Sequence, residues 1–133
     1  MKYIKFSEPS IRSEEIKNVV STLKSGWLTT GERTRIFENK FKKYKNAKYA
    51  LALNSCTAAI HLSLISLNIK KGDEVITTAL TFCSTINSII YTGAKPVLVD
   101  VDLKTQNINP DKIENKINKK TKAIVIVHFA GRP

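Results

Sequence analysis

The sequence predicts an α/β fold in which helices flank a largely parallel sheet. From residue 49 onward, short apolar runs rich in β-branched residues alternate with helical segments, in the order strand, helix, strand, helix, strand, helix, strand. Parallel strands need a crossover connection, and a helix is the usual one. A length of 133 residues with 42% apolar composition is sufficient for a packed core and excludes a disordered chain.

Two amphipathic helices are predicted ahead of this region, separated by a glycine-bounded loop over 26–31. Ser10 or Ser13 is the expected N-cap of the first helix, and Gly26 is expected to end it. Apolar residues recur at helical spacing along both segments. The resulting apolar faces carry Ile16, Val19, Val20 and Leu23 in the first helix, and Ile36, Phe37, Phe41 and Tyr44 in the second.

The alternating region is divided by turn residues such as those at 72–74 and 93. We therefore separate the chain into residues 1–48, with the two helices and the loop, and residues 49–133, with the sheet. The predicted strands cover 49–53, 75–78, 95–101 and 123–128, and the predicted helices cover 58–67, 82–91 and a segment that begins at Pro110 and contains Ile113 and Ile117.

The charge of the chain is strongly positive, with 22 Lys and Arg against 11 Asp and Glu and a net charge of +11. Such a charge would suit a nucleic acid or an anionic membrane surface. The lysines are nevertheless spread along the whole chain, and only four of the 22 basic residues are arginine, which base-reading surfaces favour. We therefore expect no nucleic-acid or membrane partner, and keep a basic nucleic-acid-binding module as an alternative.

The N-terminal residues and the cysteines bear on location. Residues 1–6 begin with charge but lack a long apolar segment or a small-residue cleavage site, so we expect no signal peptide. No apolar run approaches the roughly 18 residues of a membrane-spanning helix. Cys56 and Cys83 are too few for a disulfide framework, which favours reduced thiols in the cytoplasm.

The segment 54–59, Asn-Ser-Cys-Thr-Ala-Ala, lies between a predicted strand and a predicted helix. A helix N-terminus carries unpaired N–H groups and a partial positive charge, which suit a phosphate group. Ser55 and Thr57 add hydroxyl groups at the same place. Serine and threonine are equally common as helix caps, so an anion site and a cap are both open at this point.

A second segment, 81–85, follows the next predicted strand. Loops after the carboxyl ends of parallel strands gather at one edge of a sheet, where ligands bind. Phe82 would then lie near the phosphate-like turn and could stack on a flat ring. The alternative is a buried phenylalanine that covers the core.

Several motifs occur together in an order that resembles the DegT/StrS family of sugar aminotransferases, which use pyridoxal 5'-phosphate on the fold-type I scaffold. The resemblance covers the chain from about residue 4 to its end. It implies the incomplete large domain of such an enzyme. The motifs are Gly26–Gly31, Phe37-Glu38, Asn54–Leu62, Gly72–Ile76, Thr81-Phe82, Gly93–Val97 and Asp100–Asp102.

The resemblance implies roles for individual residues. Ser55, Cys56 and Thr57 would hold the cofactor phosphate, and Phe82 would stack on the pyridine ring. The family more often has glycine where Cys56 stands, and cysteine narrows the backbone freedom there. Thr29 and Thr30 belong to the loop that relatives place near the active site at a dimer interface, so a substrate-side role is expected for them.

Other polar residues are expected to be structural. Asp100 and Asp102 follow a predicted strand, and turn chemistry is expected for both. His61 is expected to be a packing residue on the helix after the phosphate turn. His128, at a predicted strand end, lies in a region that borders the active site in the family, but nothing in the sequence supports a general-base role for it.

The resemblance also implies what these residues lack. No lysine in the chain matches the one that forms a Schiff base with the cofactor, and the small C-terminal domain is absent. We therefore expect an N-terminal portion of an enzyme, inactive alone. The intact relative is expected to be a homodimer that transfers an amino group from glutamate to a nucleotide-linked keto-sugar for polysaccharide or glycan synthesis. A non-functional remnant of a disrupted or split gene is the alternative.

Overall fold

The computed structural model describes residues 3–5 and 7–133. Met1, Lys2 and Phe6, which are part of the segment inspected for a signal peptide, lie outside the described residues. The chain divides into two compact units, Met1–Ala52 and Leu53–Pro133. Among the described residues, no helix is long and apolar enough to cross a bilayer.

In its described residues, the first unit contains two helices, α1 (Ser13–Ser25) and α2 (Glu32–Tyr44). The expected serine N-cap of α1 is wrong, because Arg12 occupies the cap position and its backbone N–H donates to the Glu15 carboxylate at 2.7 Å. The expected C-terminus is confirmed, since Gly26 adopts the left-handed conformation at φ 71°.

The two helices of the first unit are joined by polar contacts. The guanidinium of Arg33 on α2 donates to Asn18 Oδ1 at 3.2 Å and to Ser21 Oγ at 2.8 Å on α1. Both segments are helical, as predicted. Neither helix has a buried residue, so their apolar faces stay largely exposed within the unit. A groove of about 560 Å³ runs between the helices and is lined by Val19, Leu23, Ile36 and Phe37 among others.

The second unit has the α/β architecture that the sequence predicts. Its strands form a parallel sheet in the order β2-β1-β3, so the first strand is central. Short 3₁₀ turns cover Glu114–Lys116 and Phe129–Gly131. The other elements, in chain order, are α3 (Cys56–Ser66), β1 (Glu74–Thr78), α4 (Cys83–Tyr91), β2 (Lys95–Val99), α5 (Pro110–Ile113) and β3 (Thr121–Ile124).

The central strand β1 carries an apolar core on each face of the sheet. Val75 packs with Leu64 of α3 and Ile89 of α4, whereas the next residue, Ile76, packs with Val99 and Ile108 on the other face. This alternation follows from the period of two along a strand. Val75, Ile76 and Ile89 are all completely buried.

The predicted strand at 49–53 is wrong. No strand in the described part of the chain pairs with these residues, and the backbone N–H of Ala52 instead donates to the Glu38 carboxylate at 2.9 Å. Tyr49 and Leu51 are exposed. A short apolar run becomes a strand only when a neighbour completes its hydrogen-bond ladder, and periodicity alone does not supply that neighbour.

Several element boundaries also differ from the prediction. The predicted strand 95–101 ends at Val99, because a turn that begins at Asp100 interrupts the pairing. The predicted strand 123–128 is Thr121–Ile124, although Val125 N–H still donates to the Ile76 carbonyl at 2.8 Å. The helix that begins at Pro110 is only four residues long, so Ile117 lies beyond it.

We expect Ile89→Ala to lower the free energy of unfolding by about 2–5 kcal/mol, because it opens a cavity in the core beside β1. The matched control is Ile90→Ala, one residue along α4, where the side chain is 52% exposed. Urea denaturation of both variants measures the difference. Equal losses of stability would contradict the assignment of Ile89 to the core.

Candidate functional site

The turn at residues 54–57 forms the N-terminus of α3. Ser55 is the N-cap, and its Oγ accepts a hydrogen bond from the Ala58 N–H at 3.1 Å. The backbone N–H groups of Cys56 and Thr57 have no hydrogen-bond acceptor among the described residues. The first turn of α3 also lacks an acidic residue, in contrast to α1 and α2. This helix end therefore has the free donors and the uncompensated partial positive charge that favour an anion.

Ser55 acts as a cap in this structure, which was one of the two interpretations open from the sequence. Its hydroxyl also contacts Asn54 Oδ1 at 3.4 Å. Cys56 is exposed and begins the helix with helical backbone, so its position requires no glycine. The cap occupies the Ser55 oxygen and leaves the N–H groups of the next two residues available, so the two interpretations are compatible.

Helices α3 and α4 run parallel, as two contacts between them show. The completely buried Ser88 donates its hydroxyl to the Thr57 carbonyl at 3.3 Å. One helical turn later, the His61 and Tyr91 rings meet edge to face with centroids 5.6 Å apart. Residue numbers rise together along both helices, so both N-termini lie at the same end. Because α4 follows β1, that end is the carboxyl edge of the sheet.

Phe82 is the residue immediately before α4 at this edge. Its side chain is 76% exposed, so the alternative of a buried phenylalanine covering the core is wrong. It precedes Ser88 by six residues, which places it about 9 Å along the helix axis from the level of Thr57. A hydrogen bond between the Thr81 and Thr85 hydroxyls at 2.8 Å braces the backbone on either side of Phe82. The arrangement presents an open aromatic face at the edge where α3 presents its N–H groups.

Thr29 and Thr30 belong to the loop between α1 and α2 in the first unit. The Trp27 indole N–H donates to the Thr30 carbonyl at 3.1 Å. Gly31 lies so close to that indole that a Cβ there would clash with it. Thr29 lines a pocket of about 540 Å³ in this unit, together with Trp27 and Arg33. The substrate-side role of Thr29 and Thr30 stays a prediction.

Asp100 and Asp102 perform the turn chemistry that the sequence indicates. The Lys112 ammonium donates to Asp100 Oδ2 at 3.1 Å, and the Val101 N–H donates to Oδ1 at 3.0 Å. These contacts hold the pKa of Asp100 below its usual value. The backbone N–H groups of Thr105 and Lys104 donate to Asp102 Oδ1, both at 2.9 Å, and lower the pKa of Asp102.

The two histidines differ in surroundings. His61 packs against Tyr91, in agreement with its expected packing role. His128 is exposed and precedes the 3₁₀ turn Phe129–Gly131. Of the residues around the site, Ser88 was not singled out from the sequence, because a serine inside an apolar helix gives no sign of a buried contact with a distant carbonyl.

Residues 9–133 match the DegT/DnrJ/EryC1/StrS aminotransferase family. The chain belongs to this family. It is 50% identical over 130 residues to the spore coat polysaccharide biosynthesis protein SpsC of Bacillus subtilis, covering 98% of this chain and 33% of SpsC. It is 55% identical over 125 residues to the uncharacterized protein MJ1066 of Methanocaldococcus jannaschii, covering 94% of this chain and 32% of MJ1066.

Solved aminotransferase structures share the fold of this family member. The PLP form of Spr1654 from Streptococcus pneumoniae, whose name assigns it provisionally to the sugar aminotransferases, superposes with a TM-score of 0.89 at 42% identity. That match covers 96% of this chain and 33% of Spr1654. The predicted α/β, fold-type I architecture is thereby confirmed. The chain spans about a third of the length of the relatives that it matches.

We expect Asp102→Ala to destabilise the protein at neutral pH by removing the acceptor of two N–H groups. The folded pKa of Asp102 is lowered, so its stabilising contribution is present above the unfolded pKa of about 4 and is lost as the pH falls through the folded pKa. Urea denaturation at neutral pH and near pH 3 measures the change.

The matched control is Asp102→Asn, which keeps an oxygen acceptor without the charge. It should lose less stability than Asp102→Ala at neutral pH, and its difference from the alanine variant should persist in acid. A deficit of Asp102→Ala relative to wild type that grows as the pH falls would contradict this account.

Proposed function

We propose that this chain supplies the phosphate-binding turn and the ring-stacking face of a pyridoxal 5'-phosphate site in an aminotransferase. The observation that carries the proposal is the common edge of the sheet, where free N–H groups of α3 and the exposed Phe82 lie together in a member of an aminotransferase family. Relatives solved with the cofactor support it, among them Spr1654 in its PLP form and NtdA of Bacillus subtilis with bound PMP.

The residues at this edge fit the two ends of the cofactor. The N–H groups of Cys56 and Thr57 and the Thr57 hydroxyl would hold phosphate oxygens, while Ser55 holds the turn by capping α3. Phe82 would cover one face of the ring and exclude water from it. When bound, the cofactor supplies an electron sink for bonds to the reacting carbon of the substrate. The chain's own residues bind and orient it.

We propose a nucleotide-linked keto-sugar as the amino acceptor and glutamate as the amino donor. The names of the relatives support a sugar: SpsC is a spore coat polysaccharide biosynthesis protein, and Spr1654 is named among sugar aminotransferases. In this proposal the product serves polysaccharide or glycan synthesis. Thr29, which lines the pocket of about 540 Å³ in the first unit, and its neighbour Thr30 are the residues proposed to face the substrate.

The remaining machinery is proposed to come from outside these 133 residues. We propose that none of the lysines present links the cofactor. We propose also that residues 1–133 form the N-terminal part of a large domain that works as a homodimer; the family resemblance supports both proposals. A cytoplasmic location is part of the same proposal and rests on two free cysteines without a disulfide.

We expect Thr57→Val to weaken the affinity of the full-length gene product for pyridoxal 5'-phosphate by about tenfold or more, because a hydrogen bond to a charged oxygen is lost. The affinity for pyridoxal, which lacks the phosphate, should stay unchanged. Fluorescence titration with both compounds measures the two affinities. The matched control is Thr121→Val, at the opposite edge of the sheet.

Phe82→Leu serves as the second arm of that experiment. Loss of the aromatic face should weaken the binding of pyridoxal 5'-phosphate and of pyridoxal by a similar factor of about two to ten. Phe82→Trp should restore both affinities. A Thr57→Val effect that is equal for pyridoxal and its phosphate would contradict the phosphate assignment. A Phe82→Leu effect confined to one of them would contradict the ring assignment.

The polypeptide of these 133 residues alone should show no transfer of an amino group from glutamate, because a covalently held cofactor needs the linking lysine. The measurement combines a coupled glutamate assay with visible absorbance after incubation with pyridoxal 5'-phosphate and gel filtration. Turnover together with retained visible absorbance would refute this prediction.

A further inference from the structure

Asn107 connects the loops that follow the two outer strands of the sheet. It lies in the turn after β2, where Val101 and Ile108 form an antiparallel bridge. Its side chain reaches the segment after β3. Asn107 Oδ1 accepts a hydrogen bond from the Phe129 N–H at 2.8 Å, and Asn107 Nδ2 donates to the Arg132 carbonyl at 2.9 Å. Because β1 lies between β2 and β3, this pair of bonds joins loops on both sides of the central strand.

The segment that Asn107 holds makes few other hydrogen bonds. Among the hydrogen bonds of the described residues, only those of Asn107 join residues 126–133 to the rest of the chain. The turn's own bonds, from Gly131 to His128 and from Arg132 to Phe129, are internal to the segment. Beyond the end of the β3 pairing, the Asn107 carboxamide is therefore the main polar anchor of this segment.

The backbone between the two attachment points is unusual. Ala130 and Gly131 both have positive φ, at 52° and 78°. Alanine rarely adopts this conformation, and it persists where the surroundings impose it. Asn107 hydrogen-bonds to the backbone on either side of these two residues, at Phe129 and at Arg132. The carboxamide matches that task, since it offers an acceptor and a donor on one short side chain.

The held segment emerges at the edge of the sheet that carries the proposed cofactor site. Val125 N–H pairs with the Ile76 carbonyl, and the Thr77 hydroxyl donates to the Val125 carbonyl at 2.9 Å. The chain therefore leaves β3 beside the end of β1, and β1 leads directly to Phe82. Both loops extend past the same carboxyl edge.

We propose that Asn107 is a positioning residue of the active site, which fixes the backbone of residues 128–132 beside the cofactor edge. It acts through this turn and need not touch the cofactor. The role rests on the proposed function, because it concerns the same site.

The test compares Asn107→Leu, which removes both hydrogen bonds at similar size, with Asn107→Asp, which keeps the acceptor and loses the donor. Lys104→Ala, on the same turn, is the control. Hydrogen exchange of the full-length gene product should rise about fivefold to tenfold in residues 126–132 for Asn107→Leu, less for Asn107→Asp, and not for Lys104→Ala. Exchange in β1 should stay unchanged in all three, which shows that the fold is intact.

The second readout is the dissociation constant of pyridoxal 5'-phosphate together with kcat and KM for amino transfer. We expect Asn107→Leu to weaken cofactor binding or lower kcat by about fivefold to tenfold, with partial recovery in Asn107→Asp. Unchanged exchange in residues 126–132 of Asn107→Leu would overturn the proposal. So would raised exchange with wild-type cofactor affinity and kinetics. If the wild-type protein does not bind the cofactor, the proposed function is refuted, and with it the active-site role of Asn107. The hydrogen-exchange data still test separately whether Asn107 anchors residues 126–132.

Discussion

The parallel pairing of β1 with a strand on each side is the constraint on which the rest of the second unit depends. Parallel neighbours require crossovers. The crossover from β1 to β2 contains α4, which packs on the same face of the sheet as α3, and the crossover from β2 to β3 places the turn after β2 and α5 on the other face. Residues 75–78 are buried on both faces as a result. The two buried threonines of β1 are each hydrogen-bonded, Thr77 to Val125 and Thr78 to Leu80, so the burial of their hydroxyls is compensated.

The same constraint gathers the chemistry-bearing groups at one edge. Because α3 and α4 are parallel and α4 follows β1, the N–H groups of Cys56 and Thr57 and the ring of Phe82 lie at the carboxyl ends of the strands. At this edge, the buried Ser88 hydroxyl links α4 to α3, and the Asn107 carboxamide, through one donor and one acceptor, links the turn after β2 to the segment after β3. In the proposed function, an anion and a flat ring would be bound by groups that the fold already holds in place, which would reduce the conformational entropy lost on binding.

Elements that depend on local pattern were predicted well, and those that depend on a partner were not. The sequence predicts the helices α1 and α2 and the capping turn of α3, since apolar spacing along a helix and capping hydrogen bonds involve residues only a few positions apart. The run 49–53 has the composition of a strand, but Ala52 pairs with Glu38 instead of a neighbouring strand. The serine cap of α1 was wrong because the helix begins at Ser13, so the cap residue is Arg12, whose own N–H pairs with the Glu15 carboxylate. Ser88 and Asn107 were missed because their partners lie 31 and 22–25 residues away.

By itself, the sequence determined the alternating α/β class and the family, and it singled out the turn and the aromatic residue from which the candidate site is proposed. These follow from local spacing and from motifs that lie within short stretches of chain. The tertiary structure decided that Phe82 is open to solvent, that Ser55 caps α3 while the next N–H groups stay free, and that Asn107 holds a turn beyond β3. Exposure and long-range hydrogen bonds depend on which segments become neighbours, and only the folded chain defines those neighbours.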